Sequence, residues 1–332
     1  MSVAEGLQQR SGRDDRVLPA PVAKIEGRSP WALAWQRLRQ DRVAIGSGVV
    51  ILLISLMAIC APLIAKAVGH GPNQQFPTTG LTIAGLPRPP SRTFLFGTDD
   101  LGRDLLVRVA YGARISLLVG VAATGLAVLL GVVVGIVAGY FGGHTDSVLA
   151  RLMDVVLSFP LLLFAIALVA IVGPSLPVAI FVIASFSWAP VGRVVRGQTL
   201  VLKEREFVEA ARSLGASNLR IMFVDILPNL AAPVIVYATL LVPAAIAFEA
   251  TLSFLGLGIL PPTAEWGNML AEAVGYYQVA WWFLVFPGAA LIITTLAFNL
   301  LGDAVRDALD PRAGALFGVR SEAPPITVGI ED

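Results

Sequence analysis

Five stretches of this chain run without a single Asp, Glu, Lys or Arg, at 43–65, 115–141, 155–192, 226–248 and 273–302. A helix that crosses a bilayer needs about 20 such residues. Four of the stretches fit one helix each. The 155–192 stretch is too long for one, and Gly173-Pro174-Ser175-Leu176-Pro177 interrupts it, so it reads as two spans joined by a tight turn. The expectation is an all-α membrane protein with six transmembrane helices. Composition agrees, because 56% of the residues are hydrophobic and only 14% charged, a balance that no water-soluble surface of this size sustains.

Arginine and lysine lie mostly between the apolar runs. Arg10, Arg13, Arg16, Lys24, Arg28, Arg37, Arg39 and Arg42 precede the first, and Arg193, Arg196, Lys203, Arg205, Arg212 and Arg220 lie between the fourth and fifth spans. With six spans these segments share a side with the C-terminal Arg306, Arg312 and Arg320. Positive charge marks the cytoplasm, so both termini are expected inside. The long segment between the first two spans is also basic, but long translocated loops are largely exempt from the rule, and Asp99, Asp100 and Asp104 offset part of its charge. The polar leading residues argue against a cleaved signal peptide. A formal net charge of +1 gives no reason to expect nucleic acid. Cys60 is the only cysteine, so no internal disulfide forms, and two histidines, His70 and His144, exclude a histidine-rich metal site.

The expected organisation is a disordered cytoplasmic tail at 1–28, an interfacial helix at 29–42, a first transmembrane helix at 43–66 and an external segment at 67–114. A core domain at 115–305 carries a cytoplasmic loop at 193–230, and a cytoplasmic tail follows at 306–332. Ser29-Pro30 is a helix start, and Trp31, Ala34, Trp35 and Leu38 at i, i+3, i+4 and i+7 give it an apolar face for the inner leaflet. The alternative is a cytoplasmic extension of the first span. Gly131, Gly135 and Gly139 fall at intervals of four, a stripe that packs helices more readily than it lines a pore. Trp266, Tyr276, Tyr277, Trp281 and Trp282 read as an aromatic belt at the external face. Around Phe96 to Arg108, Asp and Arg read as surface pairs. No Gly-Lys pair occurs anywhere, so a nucleotide-binding loop is rejected.

The charged island at 204–228 differs from everything around it. Phe207, Ala210, Ala211 and Leu214 recur at i, i+3, i+4 and i+7, with Glu204, Arg205, Glu209 and Arg212 on the other faces, which predicts a short amphipathic helix. Gly215 sits where a left-handed cap is needed, and Ser217 can start a second helix. Such a helix either seats in a partner's groove or packs on its own bundle. Glu249, an acid at the end of the fifth span, is costly there unless paired, hydrated or lining a cavity. It either faces a pathway near the outer gate or hydrogen-bonds the turn at 255–258.

Glu209-Ala210-Ala211, Gly215 and Leu227-Pro228 resemble the Glu-Ala-Ala loop of binding-protein-dependent ABC permeases, with Asp225 standing where that pattern prefers an aliphatic residue. Arg28-Ser29-Pro30-Trp31, the run from Phe96 to Asp104, the run from Glu249 to Gly258, Pro261-Pro262 and Glu265-Trp266-Gly267-Asn268 are similar to the C-type permeases of dipeptide and oligopeptide importers. The resemblance implies the type I ABC importer permease fold in the cell (inner) membrane. It implies import of di- or oligopeptides, with nickel or glutathione as alternative cargo for the same architecture. It also implies a second homologous permease, cytoplasmic ABC ATPase subunits and an external substrate-binding protein as partners in the bilayer. ATP and Mg are then expected on the ATPase subunits, with no cofactor, metal or catalytic residue on this chain. The ATPase-coupling residues implied are Glu204, Phe207, Glu209, Ala210, Ala211, Leu214 and Gly215, while a translocation-pathway position for Glu249 rests on its charge alone, with both of its alternatives open. A secondary transporter working without ATPases is the rival. Its usual marks, ionisable residues within spans or matching broken helices, are not evident in these runs.

Overall fold

The computed structural model describes residues 30–310. The tail expected at 1–28, and the part of the C-terminal tail past Asp310, lie outside the described residues. Among the described residues the chain is helical, and its only β pairing is three isolated bridges in the 75–104 segment. The helices are α1 (Pro30–Gln40), α2 (Arg42–Ile59), α3 (Ala61–Val68), α4 (Leu105–Phe141), α5 (Gly143–Ser158), α6 (Leu161–Val172), α7 (Leu176–Leu202), α8 (Glu206–Ser213), α9 (Asn218–Arg220), α10 (Leu227–Phe254), α11 (Trp266–Ala273) and α12 (Trp281–Leu309). A π-helical turn, Ile221–Ile226, joins α9 to α10 without a break.

Local chemistry sets the ends. Asp41 caps α2, its Oδ1 accepting from Val43 N at 2.7 Å and Ala44 N at 3.3 Å. Asp104 caps α4 in the same way, through Leu106 N at 2.9 Å and Val107 N at 3.3 Å. That cap starts α4 ten residues before the apolar run, so the expected external segment ends at Asp104 and not at Arg114. The first span stops at Ile59 and restarts as α3, because Pro62 has no N–H to donate to the preceding turn. At the other end α12 runs on to Leu309, past the expected boundary at 305.

Five helical segments are long and apolar enough to cross a membrane, and α5 with α6 form a sixth candidate bent by 83°. The tight turn at 173–177 is present, but the span before it is broken at Pro160, which sets the α5–α6 bend. That broken pair has to make a return crossing. A Cβ on Gly131 would meet Trp188 O at 2.7 Å, on Gly135 Gly192 O at 2.7 Å and on Gly139 Arg196 O at 2.8 Å. Both chains advance by four residues at each step, so α4 and α7 run parallel in backbone contact along the glycine stripe. Parallel neighbours need the intervening chain to travel back between them.

One end of this bundle gathers the parts that matter. Arg37 of α1 donates to Ala308 O at 3.3 Å and Asp310 O at 3.0 Å, which seats the N-terminal helix on the C-terminal end of α12. Tyr140, at the end of α4, donates to Asn218 Oδ1 at 2.8 Å, and Arg196 of α7 holds Asp146 of α5 through Nη2 and Oδ2 at 2.7 Å. The start of α2, the end of α4, the charged island and the end of α12 therefore share one face.

At the opposite face two sequence expectations are corrected. Asp99, Arg103, Asp104 and Arg108 are not a surface cap but are buried, at 0 to 2% exposure. Arg103 bridges Asp99 at 2.5 Å and Glu272 of α11 at 3.1 Å, while Asp104 pairs with His70 at 2.7 Å. Two guanidinium groups thus supply the counter-charge where Asp99, Asp100 and Glu272 converge. Burial, followed by the neighbouring Asp99, lifts Asp100 above the usual carboxylate range, and burial lifts Glu272 against the pull of Arg103. The aromatic belt shrinks as well. Trp281 and Tyr277 are exposed, but Trp266 donates to Val109 O at 3.0 Å and Trp282 to Thr98 O at 3.2 Å, so both pin the segment to the core.

Candidate functional site

The island folds as two helical pieces around one glycine. Lys203 to Arg205 make the turn after α7, with Glu204 exposed in it, and α8 follows. At its end Ala216 N–H donates to Ala211 O and Gly215 N–H to Arg212 O, both at 3.0 Å, with Gly215 at φ +80°. This is the Schellman cap that the glycine position predicts. Ser217 then caps α9, its Oγ accepting from Arg220 N at 3.4 Å. The π turn follows immediately. It lies just before Pro228, which has no N–H for the preceding turn, and Asn229 Nδ2 donates to Asp225 O at 2.7 Å within it. Asp225 thus sits in a continuous helix, and its departure from the aliphatic pattern does not interrupt re-entry into α10.

The helix is amphipathic, but its anchor differs from the predicted stripe. Val208 is fully buried in a cluster that also holds Val132, Ile136 and Tyr140 of α4, Val195 of α7 and Ile221 of the π turn, and Ala211 packs at its edge. Phe207, Ala210 and Leu214 point away from the chain; Phe207 is 41% and Leu214 88% exposed. Glu209 and Arg212 flank them, also exposed. So α8 is pinned by one valine and presents an apolar strip at i, i+3, i+7 outward. The helix packs on its own bundle through one face and leaves the other exposed. The sequence reasoning missed Val208, although its spacing of three from Ala211 marks the inner edge.

α8 connects to the bundle in two ways. One runs through Val208 to α4 and α7, which share the glycine seam. The other runs through the Gly215 turn to α9, which continues through the π turn into α10. Gly215→Val is expected to uncouple the second route, because a β-branched residue at φ +80° is strained by roughly 1–3 kcal/mol. No side-chain contact is lost, since nothing lies within 4 Å of a Cβ placed there. The melting temperature of the solubilised chain should fall by a few degrees while membrane insertion is unchanged. Gly215→Asn should be milder, because Asn tolerates the left-handed region.

Glu249 lies at the far end of α10 from this island. It is fully buried, and its Oε1 accepts from Ser253 Oγ at 2.9 Å. Ser253 Oγ in turn accepts from Ile259 N at 3.2 Å. Glu265, also fully buried, caps α11, accepting from Gly267 N at 2.6 Å and Asn268 N at 2.9 Å, and lies against Glu249. Burial pushes the Glu265 carboxyl up, and its two backbone hydrogen bonds oppose that. The structure therefore groups Glu204, Phe207, Glu209, Ala210, Ala211, Leu214 and Gly215 on one face and places Glu249 apart, inside the chain.

A family model described as "Binding-protein-dependent transport system inner membrane component" matches residues 131–314, and "N-terminal TM domain of oligopeptide transport permease C" matches 29–83. The chain is similar to the oligopeptide transport system permease protein OppC of Escherichia coli K12, 44% identical over 289 residues that cover 87% of this chain and 93% of that protein. It is 42% identical to the di/tripeptide transport system permease protein DppC of Pseudomonas aeruginosa, over 89% of this chain and 96% of that one. It is 43% identical to the glutathione transport system permease protein GsiD of an Escherichia coli O6 strain, over 86% and 91%. Among solved structures, a chain of the MetNI methionine ABC transporter in an inward-facing conformation aligns with TM-score 0.50 at 16% identity, covering 61% of this chain and 96% of that one. That likeness concerns the fold, which is the type I importer permease fold. With the glycine seam, the capped island and the N-terminal helix all within matched segments, the chain belongs to the family of binding-protein-dependent transport system inner membrane components, as a permease of the C type.

Proposed function

We propose that this chain is one of two permease subunits of an ATP-driven importer of di- and oligopeptides in the inner membrane, and that α8 is the lever by which ATPase subunits drive it. The single observation behind the lever is the outward strip of Phe207, Ala210 and Leu214 on a helix whose other side is clamped by Val208. Exposed apolar side chains on a short helix between charges fit the groove of a soluble partner. The peptide permeases among the relatives support the cargo. The glutathione permease, at similar identity, supports a second reading in which a small peptide-like thiol is carried.

In this proposal both termini and the island are cytoplasmic, as the arginine distribution implies. ATP and Mg act on the partner subunits, and an external binding protein delivers cargo to the face that carries the Asp99–Arg103 network. Closure of the ATPases draws the two permeases' levers together and converts the pathway from inward-facing to outward-facing. Moving a two-state element from 1:99 to 99:1 takes about 5.5 kcal/mol. A helix tied to α4, α7 and α10 is stiff enough to transmit it.

Uptake tests the cargo. Cells lacking this chain should lose uptake of labelled di- and oligopeptides and regain it with the chain restored. Unchanged peptide uptake with loss of glutathione uptake would select the second reading, and loss of neither would refute both.

A further inference from the structure

The junction of α10 and α11 buries two acids against each other with no base beside them. Glu249 and Glu265 are both at 0% exposure, and among the described residues no arginine, lysine or histidine pairs with either. The surrounding elements offer no cation. Between 176 and 192 on α7 and between 281 and 302 on α12 there is no ionisable residue. On α4, Arg108 turns to Asp99 and to the carbonyls of Pro72 and Pro262, and Arg114 lies over Tyr111. Further along α11, Glu272 is engaged with Arg103.

The two carboxyls are not equivalent. Glu265 sits at a helix start and accepts two backbone N–H groups, the arrangement that suits a carboxylate. Glu249 lies within α10, accepts only from Ser253, and its Oε2 is buried without a partner. An orphaned buried oxygen is costly, and two adjoining carboxylates in a dry site cannot both hold charge. One proton removes both penalties, because it turns the orphan into an O–H donor beside Glu265.

We propose that Glu249 and Glu265 are a proton-binding site, with Glu249 the donor and Glu265 the acceptor, and that this proton ties the end of α10 to the cap of α11. The tie extends outward. Through Glu272, α11 meets Arg103 of the 70–104 segment, so one proton secures the loop that closes this end of the bundle. The proton site does not depend on any peptide-binding role for Glu249. It is also independent of which cargo is carried.

The test is infrared spectroscopy of the assembled transporter, this chain with its partner subunits, in lipid nanodiscs at neutral pH. Wild type should show the carbonyl stretch of an un-ionised carboxylic acid, sensitive to deuterium exchange, and Glu249→Gln should lack it. The Gln amide still donates to Glu265, so Glu249→Gln should assemble. Absence of the band in wild type, or an undiminished band in Glu249→Gln, overturns the proposal. If Glu249→Gln fails to assemble, the wild-type melting temperature decides. The folded chain holds a proton that the unfolded chain gives up above about pH 4.3, so stability must fall as pH rises until that proton leaves. A melting temperature that does not fall between neutral and alkaline pH contradicts the shared proton.

Discussion

Replacing Phe207 and Leu214 together by Asp is expected to abolish capture of ATPase subunits while leaving the permease folded and inserted. Both side chains point outward and contribute nothing to the cluster that holds α8 in place. Surface substitutions of this kind usually change stability by no more than about 0.5 kcal/mol each. Apolar anchors at an interface cost about 2 kcal/mol or more when removed, and burying a new charge in the partner's groove adds to that. The pair should therefore weaken association by at least roughly a hundredfold, measured by pull-down from detergent with the ATPase subunits. Val208→Asp has the opposite profile, since it removes the buried anchor and should release α8 from α4 and α7. Comparable loss of capture and of thermal stability in the outward pair would show that α8 is only a structural brace.

The other large effect lies in the seam. Gly135→Leu should prevent α4 and α7 from meeting, because even a first carbon there falls 2.7 Å from Gly192 O and 2.8 Å from Val195 Cβ. Overpacking a well-filled core costs roughly 1–3 kcal/mol, and here a backbone carbonyl on the facing helix leaves no side chain free to give way. Gly125 on the same helix is the control, since nothing lies within 4 Å of its added carbon. Gly125→Leu should yield wild-type amounts of folded protein by fluorescence size-exclusion chromatography, and Gly135→Leu little or none. Equal yields would remove the seam from the account and restore a pore-lining role for the stripe.

Much of this was legible in the residue order, for identifiable reasons. Membrane spans follow from the absence of charge, and the glycine period follows from helix geometry, so the bundle and its seam could be read directly. The cap at Gly215 was readable because only a left-handed turn places glycine between Leu214 and Ala216 so economically. Burial across long distances was not. The Asp99, Arg103 and Arg108 network looks like a surface cap in one dimension, and becomes buried only because α11, some 160 residues later, brings Glu272 to it. Trp266 and Trp282 likewise carry the signature of interfacial anchors, yet their indole N–H groups find carbonyls on α4 and on the segment before it. The outward face of α8 is the instructive case. Periodicity located the apolar residues, but which of them face outward depended on Val208 joining the buried cluster of Val132, Ile136 and Val195.

Sidedness and contact at α8 test the central claim together. In a Cys60→Ala background, Leu214→Cys should react with a membrane-impermeant maleimide in inside-out vesicles and not in right-side-out ones. Assembled with its partners, the same cysteine should be shielded and should cross-link to an ATPase subunit. Labelling from the outer side, or full reactivity with no cross-link in the assembled transporter, would contradict the lever.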